Sequence, residues 1–567
     1  MTESTSLENW FSKIEKAKIV SSENDVLWDA ETDLLVIGYG AAGASAALEG
    51  RENGLDVIVL DRLAGGGATV MSGGVVYAGG GTRVQREVGE VDSPQAMYDY
   101  LKLETRDVVQ GETLMRFCNQ SANNLDWLMS HGVQFSGPVW KQKTSYPNVK
   151  YFLYHSDNSL LPAYQGDQPP AARGHRGVIK QGNSAVNLGG SVFWPMRASA
   201  QKLGVSVEVK TEARQLVVDQ QGRVLGVKAL KLVEGSDADK RHQRYSAWAN
   251  LITKYFPNML PGGKYMRRMS RYFRNKVAKI EETERQELYY RARAGVVLSA
   301  GGFIFNRKMV KHYCPKYLKG MPLGTHADDG SGIRLGESAG GATKLMQNAT
   351  AWRFINPPLA WSRGMIVNQL GARFVNESSY GATIGEAMVE RNDGKAWLIL
   401  DATLVKQAWK QIMPGKVLPF QQLLAALNHI VVKKRFKTVE AMCQHFGFDA
   451  DTMKDSLLSY AQIASDESQD EYGKTAKDAA VLQAPFHVID ISLAQQLLPC
   501  SVLTMGGLAV DEATGQVVNQ DQQPIQGLYA AGRTAVGIPS KLYMSGLSLA
   551  DCVFSGRRAG SHAAKCA

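Results

Sequence analysis

Near the C-terminus, Tyr543-Met544-Ser545-Gly546 sets a phenol and an alcohol two residues apart, directly before the apolar run Leu547-Ser548-Leu549-Ala550. No Asp, Glu or Lys falls within Tyr543–Gly546, and the nearest acid, Asp551, sits a turn or more along the following helix. Proton transfer here therefore calls for a hydroxyl relay. Tyrosine titrates near ~10 in water, and the positive end of a helix starting near Ser545–Ser548 is expected to lower that value. Serine acts as a base only when a neighbour takes its proton onward. The same stretch holds Thr504-Met505-Gly506-Gly507 and Gly527-Leu528-Tyr529-Ala530-Ala531-Gly532-Arg533. An apolar strand that ends at a glycine, followed by a helix N-terminus, turns backbone N–H groups toward an electron-rich ligand.

The elements that must position these hydroxyls begin with Leu34-Leu35-Val36-Ile37, a β-like run followed by Gly38-Tyr39-Gly40-Ala41-Ala42-Gly43 and an alanine-rich helix to Asn53. A second strand, Val57 to Leu60, ends at Asp61, an acid 23 positions after the first glycine, with Arg62 beside it. Strand, glycines, helix, strand and acid in register form a dinucleotide-binding fingerprint, the acid facing a ribose hydroxyl. Gly65 to Gly74 follows as a flexible loop that a nicotinamide enzyme has no need of. Its Gly67, Ala68, Thr69, Ser72, Gly73 and Gly74 suit the pyrophosphate and the edge of a flavin. Ala294–Ser299 with Gly301 reads as a buried strand and turn, and Asp329 opens another helix. Gly507, Gly532, Arg533, Gly546, Ser548 and Leu549 complete the expected FAD contacts. The implied fold is α/β: a discontinuous Rossmann-like FAD-binding domain of the glutathione-reductase type, with an inserted α+β substrate domain. The boundaries expected are an N-terminal extension at 1–29, FAD-binding parts at 30–345 and 496–567, and the substrate domain at 346–495.

At 567 residues the chain exceeds one core. Met1 to Asp29 has no apolar signal segment and no run approaches ~18–20 apolar residues. Six cysteines lack metal-like or CxxC spacing and read as reduced thiols. A cytoplasmic protein with no metal site is expected. The net charge of +10 sits unevenly: Lys240 to Arg293 alone carries 14 Lys/Arg against 4 Asp/Glu. Basicity confined to one insertion, with no nucleic-acid motif, argues against a nucleic-acid partner.

These motifs resemble the flavoprotein family of fumarate reductases and 3-ketosteroid dehydrogenases along nearly the whole chain, most narrowly its Δ4-(5α)-3-ketosteroid branch. The resemblance is carried by Gly38–Gly43, Gly79-Gly80-Gly81-Thr82, Ala172-Arg173-Gly174-His175, Gly527–Arg533, Tyr543–Gly546 and Gly556-Arg557-Arg558-Ala559-Gly560. It implies a flavin-dependent dehydrogenase of steroid degradation, forming a C4–C5 double bond in 3-keto-5α-steroids and passing electrons to an external acceptor. It also implies a Tyr/Ser/Tyr group: Tyr543 and Ser545, with Tyr380 from the second domain. On this reading Ser545 and Tyr380 accept the C4 proton while Tyr543 binds the C3 ketone. FAD is expected to be non-covalent, because the Gly65–Gly74 loop lacks the histidine that carries it in succinate dehydrogenase relatives. The alternatives are a 3-ketosteroid Δ1-dehydrogenase, a fumarate-reductase-like ene reductase, and a non-catalytic flavoprotein. Pro539-Ser540-Lys541-Leu542 departs from the glycine-rich run usual in the family.

Between these motifs, Asn119–Phe135 has helical periodicity with a stop at Gly132. Leu216–Leu230 and Gly364–Glu377 read as hairpins, the second delivering Tyr380, and helices are expected from about Leu404 to Tyr460 with little charge clustering. His175 is a lone loop histidine, by default structural. The basic insertion has nine aromatics, with Trp248, Leu251, Ile252, Tyr255, Phe256, Met259 and Leu260 on one helical face, kinked at Pro257. Two readings fit residues 240–290: a helix docked on an anionic membrane surface, or a solvated arm packed on a neighbouring subunit.

Overall fold

The computed structural model describes residues 13–567 except 149, 167, 179–187, 256–262 and 466–469. Phe256, Pro257, Met259 and Leu260 of the expected amphipathic face lie outside the described residues.

The principal layer is a sheet that contains strand β1 (Ala30–Ile37), which is followed by helix α1 (Ala41–Glu52) and strand β2 (Val57–Asp61). Leu34, Leu35, Val36 and Ile37 are all buried, as befits a parallel strand covered on both faces. Beyond β2 lies β3 (Ser206–Val209); on the other side of β1, past one intervening strand that pairs with β1 in parallel, lie β4 (Thr211–Asp219) and β5 (Val224–Lys231), the expected hairpin, with β5 the nearer. Helices α2 (Asp237–Tyr255) and α3 (Gly263–Thr283) then leave the sheet as an arm, and the chain returns as β6 (Gln286–Leu298), eight residues earlier than the expected start at Ala294. This long strand changes neighbours: Gln286–Arg291 runs antiparallel to β5, and Val296–Leu298 runs parallel to a late strand, Leu528–Ala530. Residues before 30 also join the layer, since Lys18–Val20 pairs with β4 at the sheet edge.

A second lobe follows. Strand β7 (Ala349–Trp352) supports helix α4 (Gly381–Arg391), and a four-stranded antiparallel sheet is formed by Met365–Val367, Trp397–Leu400, Phe486–Asp490 and Lys434–Phe436, in that order. Gly385 lets α4 rest on β7, because a Cβ there would meet Ala351 O at 1.7 Å. The expected Gly364–Glu377 hairpin is reduced to one bridge, Val367 with Arg373, since Met365–Val367 pairs instead with Trp397–Leu400. The return arm is diverted by a buried ion network in which Glu377 meets both Arg373 and Lys474. The expected helical region 404–460 contains helices Ala402–Gln411, α5 (Pro419–Leu427), Val439–Phe446 and Ala450–Ser465, but the strand Lys434–Phe436 interrupts it to close the sheet.

The chain re-enters the first layer through β8 (Pro524–Ala530) and ends in α6 (Leu547–Lys565). Helices α1 and α6 meet backbone to backbone: a Cβ on Gly556 would lie 2.4 Å from Ala42 O, and one on Gly560 2.6 Å from Ala46 O. Small residues on both helices make that approach sterically free, and it brings the two N-termini to one cavity.

Candidate active site

One continuous cavity of about 590 Å³ runs from the β1–α1 turn to the second lobe. Its nucleotide end is walled by Gly38, Gly40, Ala42, Asp61, Arg62 and Gly301, its middle by Gly67, Ala68, Thr69, Ser72 and Gly73, then Arg533, Gly546, Ser548 and Leu549. Of the residues read from sequence as FAD contacts, Gly43, Gly74, Gly507, Gly532 and Asp329 do not line it. Their local roles are packing ones. A Cβ on Gly43 would lie 2.0 Å from Gly38 O, and one on Gly507 2.6 Å from Thr534 O. Asp329 is tied to Arg62 at 2.8 Å. Its neighbour Asp328 lines the cavity instead, pairing with Arg533 at 2.6 Å.

The wall fits a flavin dinucleotide. Gly38, at φ +97°, leaves bare backbone where a Cβ would collide with Ser299 O at 2.7 Å. Asp61 is oriented by N–H groups of Tyr39 (2.8 Å), Leu63 (2.8 Å) and Gly65 (3.2 Å), which leaves acceptor capacity for a ribose. Gly546, left-handed at φ +89°, starts α6, so the first N–H groups of that helix face the wall at Ser548 and Leu549. Nη1 of Arg533 is buried without a hydrogen-bond partner, a donor free for an anionic ring. Arg62 itself is held by Asp329, Glu212 and Glu281 of α3.

At the far end the three residues singled out for chemistry converge. Tyr380 is the N-cap of α4, and its N–H donates to Asn158 Oδ1 at 2.6 Å. Tyr543 packs on Trp352 with ring centroids 4.5 Å apart, and Tyr380 meets Phe354 edge-on at 5.8 Å. Ser545 is buried, its main chain held by Ser156: Ser545 N–H donates to Ser156 O (3.3 Å) and Ser156 Oγ donates to Ser545 O (3.0 Å). Tyr543 and Ser545 line the cavity; Tyr380 stands just behind the wall, its hydroxyl buried and unpartnered.

Two more phenols reach the same serine, and sequence reading missed both. The Tyr154 hydroxyl lies 3.3 Å from Ser545 Oγ. Tyr146 lines the cavity beside it and meets Phe354 at 6.3 Å. Tyr146 comes from a loop fastened by buried Arg176, which donates to the carbonyls of Pro147 (2.8 Å), Asn148 (2.7 Å) and Tyr151 (2.5 Å). Tyr154 stands on the short strand Leu153–Tyr154, paired with Gly174–Arg176. The sequence signal is the aromatic, Pro-rich and irregular stretch Tyr151–Arg176, which contains Tyr154 but not Tyr146.

The expected lowering of the tyrosine pKa does not occur. Burial pushes Tyr146, Tyr154, Tyr380 and Tyr543 all above the ordinary phenol value, and for Tyr154, Tyr380 and Tyr543 the neighbouring phenols oppose ionisation further. They are resting phenols, able to donate and accept one proton in passing. Behind them lies a polar cluster. Asn158 Nδ2 donates to Glu104 Oε1 (2.7 Å) and to Thr383 Oγ1 (3.0 Å), and Lys143 Nζ donates to Asn158 Oδ1 (3.2 Å). Burial raises Glu104 to about 7 and lowers Lys143 to about 8. His175 is away from the cavity; its ring nitrogens meet Arg173 O and Thr82 Oγ1, each at 3.0 Å, and it is structural.

The rest of the chamber is apolar: Trp352, Phe354, Trp361, Phe420, Leu424 and Leu503 among others. Among the described residues its lining cations are Arg62 and Arg533, both ion-paired. No group of His, Cys, Asp and Glu able to hold a metal is found among the described residues.

Layers, glycine cradle and cavity together define a dinucleotide-binding flavoprotein. A family model described as an FAD binding domain matches residues 33–258 and 273–546, and the chain belongs to that family. It is 36% identical to the 3-oxo-5-alpha-steroid 4-dehydrogenase of Comamonas testosteroni over 519 residues, covering 90% of this chain and 94% of that one. To the 3-oxosteroid 1-dehydrogenase of Mycolicibacterium smegmatis the identity is 25%, over 90% and 93%. The structure of 3-ketosteroid-delta4-(5alpha)-dehydrogenase from Rhodococcus jostii RHA1, in complex with 4-androstene-3,17-dione, superposes with a TM-score of 0.79 at 26% identity, covering 97% of this chain and all of that one.

Proposed function

We propose that this chain is an FAD-dependent dehydrogenase that introduces the C4–C5 double bond into 3-keto-5α-steroids. The observation that carries the reading is the Ser545 hydroxyl, set among neutral phenols at the end of an apolar chamber. The chamber wall suits a lipophilic ketone. Among the described residues its lining cations are Arg62 and Arg533, ion-paired to Asp329 and Asp328 in turn, which disfavours an ene reductase that must clamp a dicarboxylate. The similarity to the 4-dehydrogenase, higher than to the 1-dehydrogenase, supports the position of the new bond.

Bound FAD supplies the acceptor for the hydride leaving C5. Tyr543, packed at a tilt on Trp352, donates to the C3 ketone oxygen and stabilises charge developing there. That donor makes the C4 proton acidic. Ser545 takes the proton at Oγ while passing its own to a phenol, Tyr154 at 3.3 Å, with Tyr380, whose buried hydroxyl has no other partner, as the second receiving hydroxyl of the proposal. Because burial keeps these phenols protonated, the receiving phenol releases its own proton in the same step to water at the mouth of the chamber. One proton thus leaves the site per turnover, and no negative charge is left standing on the relay. Reoxidation is by an external acceptor other than nicotinamide. Peripheral attachment of residues 240–290 to an anionic membrane forms part of the proposal. In this arm Tyr245 and Trp248 stack on Phe273, while Leu251, Tyr265 and Tyr272 face solvent. Unchanged vesicle binding after deletion of 240–290 would remove that element.

The test is anaerobic addition of a 5α-3-ketosteroid to the holoprotein. Prompt bleaching of the flavin absorbance with formation of the 4-ene is expected; a 1-ene product, or no bleaching, overturns the assignment.

A further inference from the structure

Helix α5 is apolar on both faces. Inward, Gln421, Leu424 and Ala425 line the chamber; outward, Leu423 is 57% exposed, and Ile430 and Val431 in the turn that follows are 70% and 54% exposed. Phe420, 42% exposed, belongs to both faces and marks the chamber's rim. A helix with apolar residues all round is ordinarily covered by something, and a contiguous exposed apolar patch marks a docking site. The surrounding charge says what covers this one. Residues 402–439 hold seven Lys/Arg and no Asp or Glu. Lys410, Lys416, Lys434, Arg435 and Lys437 are all exposed. The expectation of little charge clustering over 404–460 is corrected here: eight Lys/Arg stand against four Asp/Glu, and all four acids fall after residue 439.

We propose that α5 and the turn to Val432 insert into an anionic lipid surface, so that the chamber opens into the bilayer and takes its substrate from there. Exposed apolar side chains flanked along the chain by seven cations, with the nearest acids in sequence at Asp401 and Glu440, match an anionic interface. A second copy of this chain would bring the same seven cations face to face, which disfavours a dimer through this patch. The transfer step rests on the reading of the substrate as a lipophilic ketone; the docking does not.

The experiment uses the FAD-loaded full chain with two kinds of vesicle, pure phosphatidylcholine and phosphatidylcholine with 30% phosphatidylglycerol. Wild type is expected to float with the anionic vesicles and not with the neutral ones. The triple variant Leu423→Ser/Ile430→Ser/Val431→Ser is expected to lose at least fivefold in anionic vesicle binding, with its flavin spectrum and melting temperature retained. Lys434→Glu/Arg435→Glu should lose binding comparably and flatten its salt dependence. With steroid dissolved in cyclodextrin, the triple variant should turn over within twofold of wild type; with steroid supplied in vesicles it should fall at least fivefold. Undiminished vesicle binding by both variants overturns the proposal, as does a wild-type dimer in solution that the triple variant dissolves. Vesicle binding by a protein that desaturates no ketosteroid leaves the docking standing and removes the functional reading.

Discussion

The Tyr154 hydroxyl stands 3.3 Å from Ser545 Oγ, and both groups are buried. A serine at that distance from a neutral phenol has a route for its own proton, which is what makes it competent as a base. Removing one relay member should cost much of the relay, in the range of about 10²–10⁴ for general-base steps. Ser545→Ala should lower the rate of flavin reduction by at least about 10², and Tyr154→Phe by about tenfold. Because the two act as a unit, the double variant should be no slower than Ser545→Ala alone. Stopped-flow reduction by a 5α-3-ketosteroid measures all three; fully additive losses would separate Tyr154 from the relay.

Asn158 ties the catalytic cap to the polar cluster behind it. Its Oδ1 accepts from Tyr380 N–H (2.6 Å) and Lys143 Nζ (3.2 Å), while Nδ2 donates to Glu104 and Thr383. Loss of these bonds frees the start of α4, so Tyr380 drifts by a fraction of an ångström, enough to weaken proton transfer. Asn158→Ala should lower kcat by about tenfold, with KM within about threefold and the flavin spectrum intact. A raised KM at unchanged kcat would make Asn158 part of substrate binding instead.

How far the sequence discloses this site depends on whether its parts are local. Gly38–Gly43 and Tyr543–Gly546 are contiguous motifs whose geometry follows from a turn and a helix start, so they can be read directly. Tyr146 and Tyr154 are not contiguous with them. Tyr146 is placed by Arg176 gathering three carbonyls of an irregular loop, and Tyr154 by a two-residue strand that pairs with Gly174–Arg176; no periodicity announces either. Asp328 and Asp329 are adjacent, and spacing alone does not tell which one faces the cavity; the pairing of Asp329 with Arg62 decides it. The hairpin expected at Gly364–Glu377 failed for a related reason. Arg373 and Glu377 look like strand residues in sequence, but their charges are drawn into a network completed by Lys474, about a hundred residues away.

That network yields a stability prediction. Glu377 is wholly buried, with Lys474 at 2.8 Å and Arg373 at 2.9 Å, and both cations hold its carboxyl below the usual carboxylate range. Glu377→Gln would leave Lys474 without its counter-charge in an interior that penalises a lone cation. Breaking a buried pair from one side costs about 3–5 kcal/mol. Denaturant unfolding of the holoprotein should show a loss of that size. Glu377→Gln/Lys474→Met should recover a good part of it, and a recovery of nothing would mean that the ion pair is not what pins this segment.

Two buried groups give pH dependences of opposite sign. Burial lowers His175 to about 4 and raises Glu104 to about 7. His175 is neutral when folded, its ring satisfied by Arg173 O and Thr82 Oγ1. Between its unfolded value near ~6.5 and about 4 the unfolded chain binds more protons, so its contribution is fully present above ~6.5 and is lost as pH falls through that window. Glu104, with Oε2 unpartnered, favours its protonated form when folded. Its contribution is fully present below ~4.3 and is lost as pH rises through about 7. Each span of some 2.5 units corresponds to about 3 kcal/mol. Relative to wild type, His175→Gln should therefore gain stability as pH falls from 6.5 to 4.5, and Glu104→Gln should gain as pH rises from 5 to 7.5. Measuring variant minus wild type across pH isolates each group from all others that titrate in the same range. Parallel curves for either variant would show that the group does not change its protonation on folding.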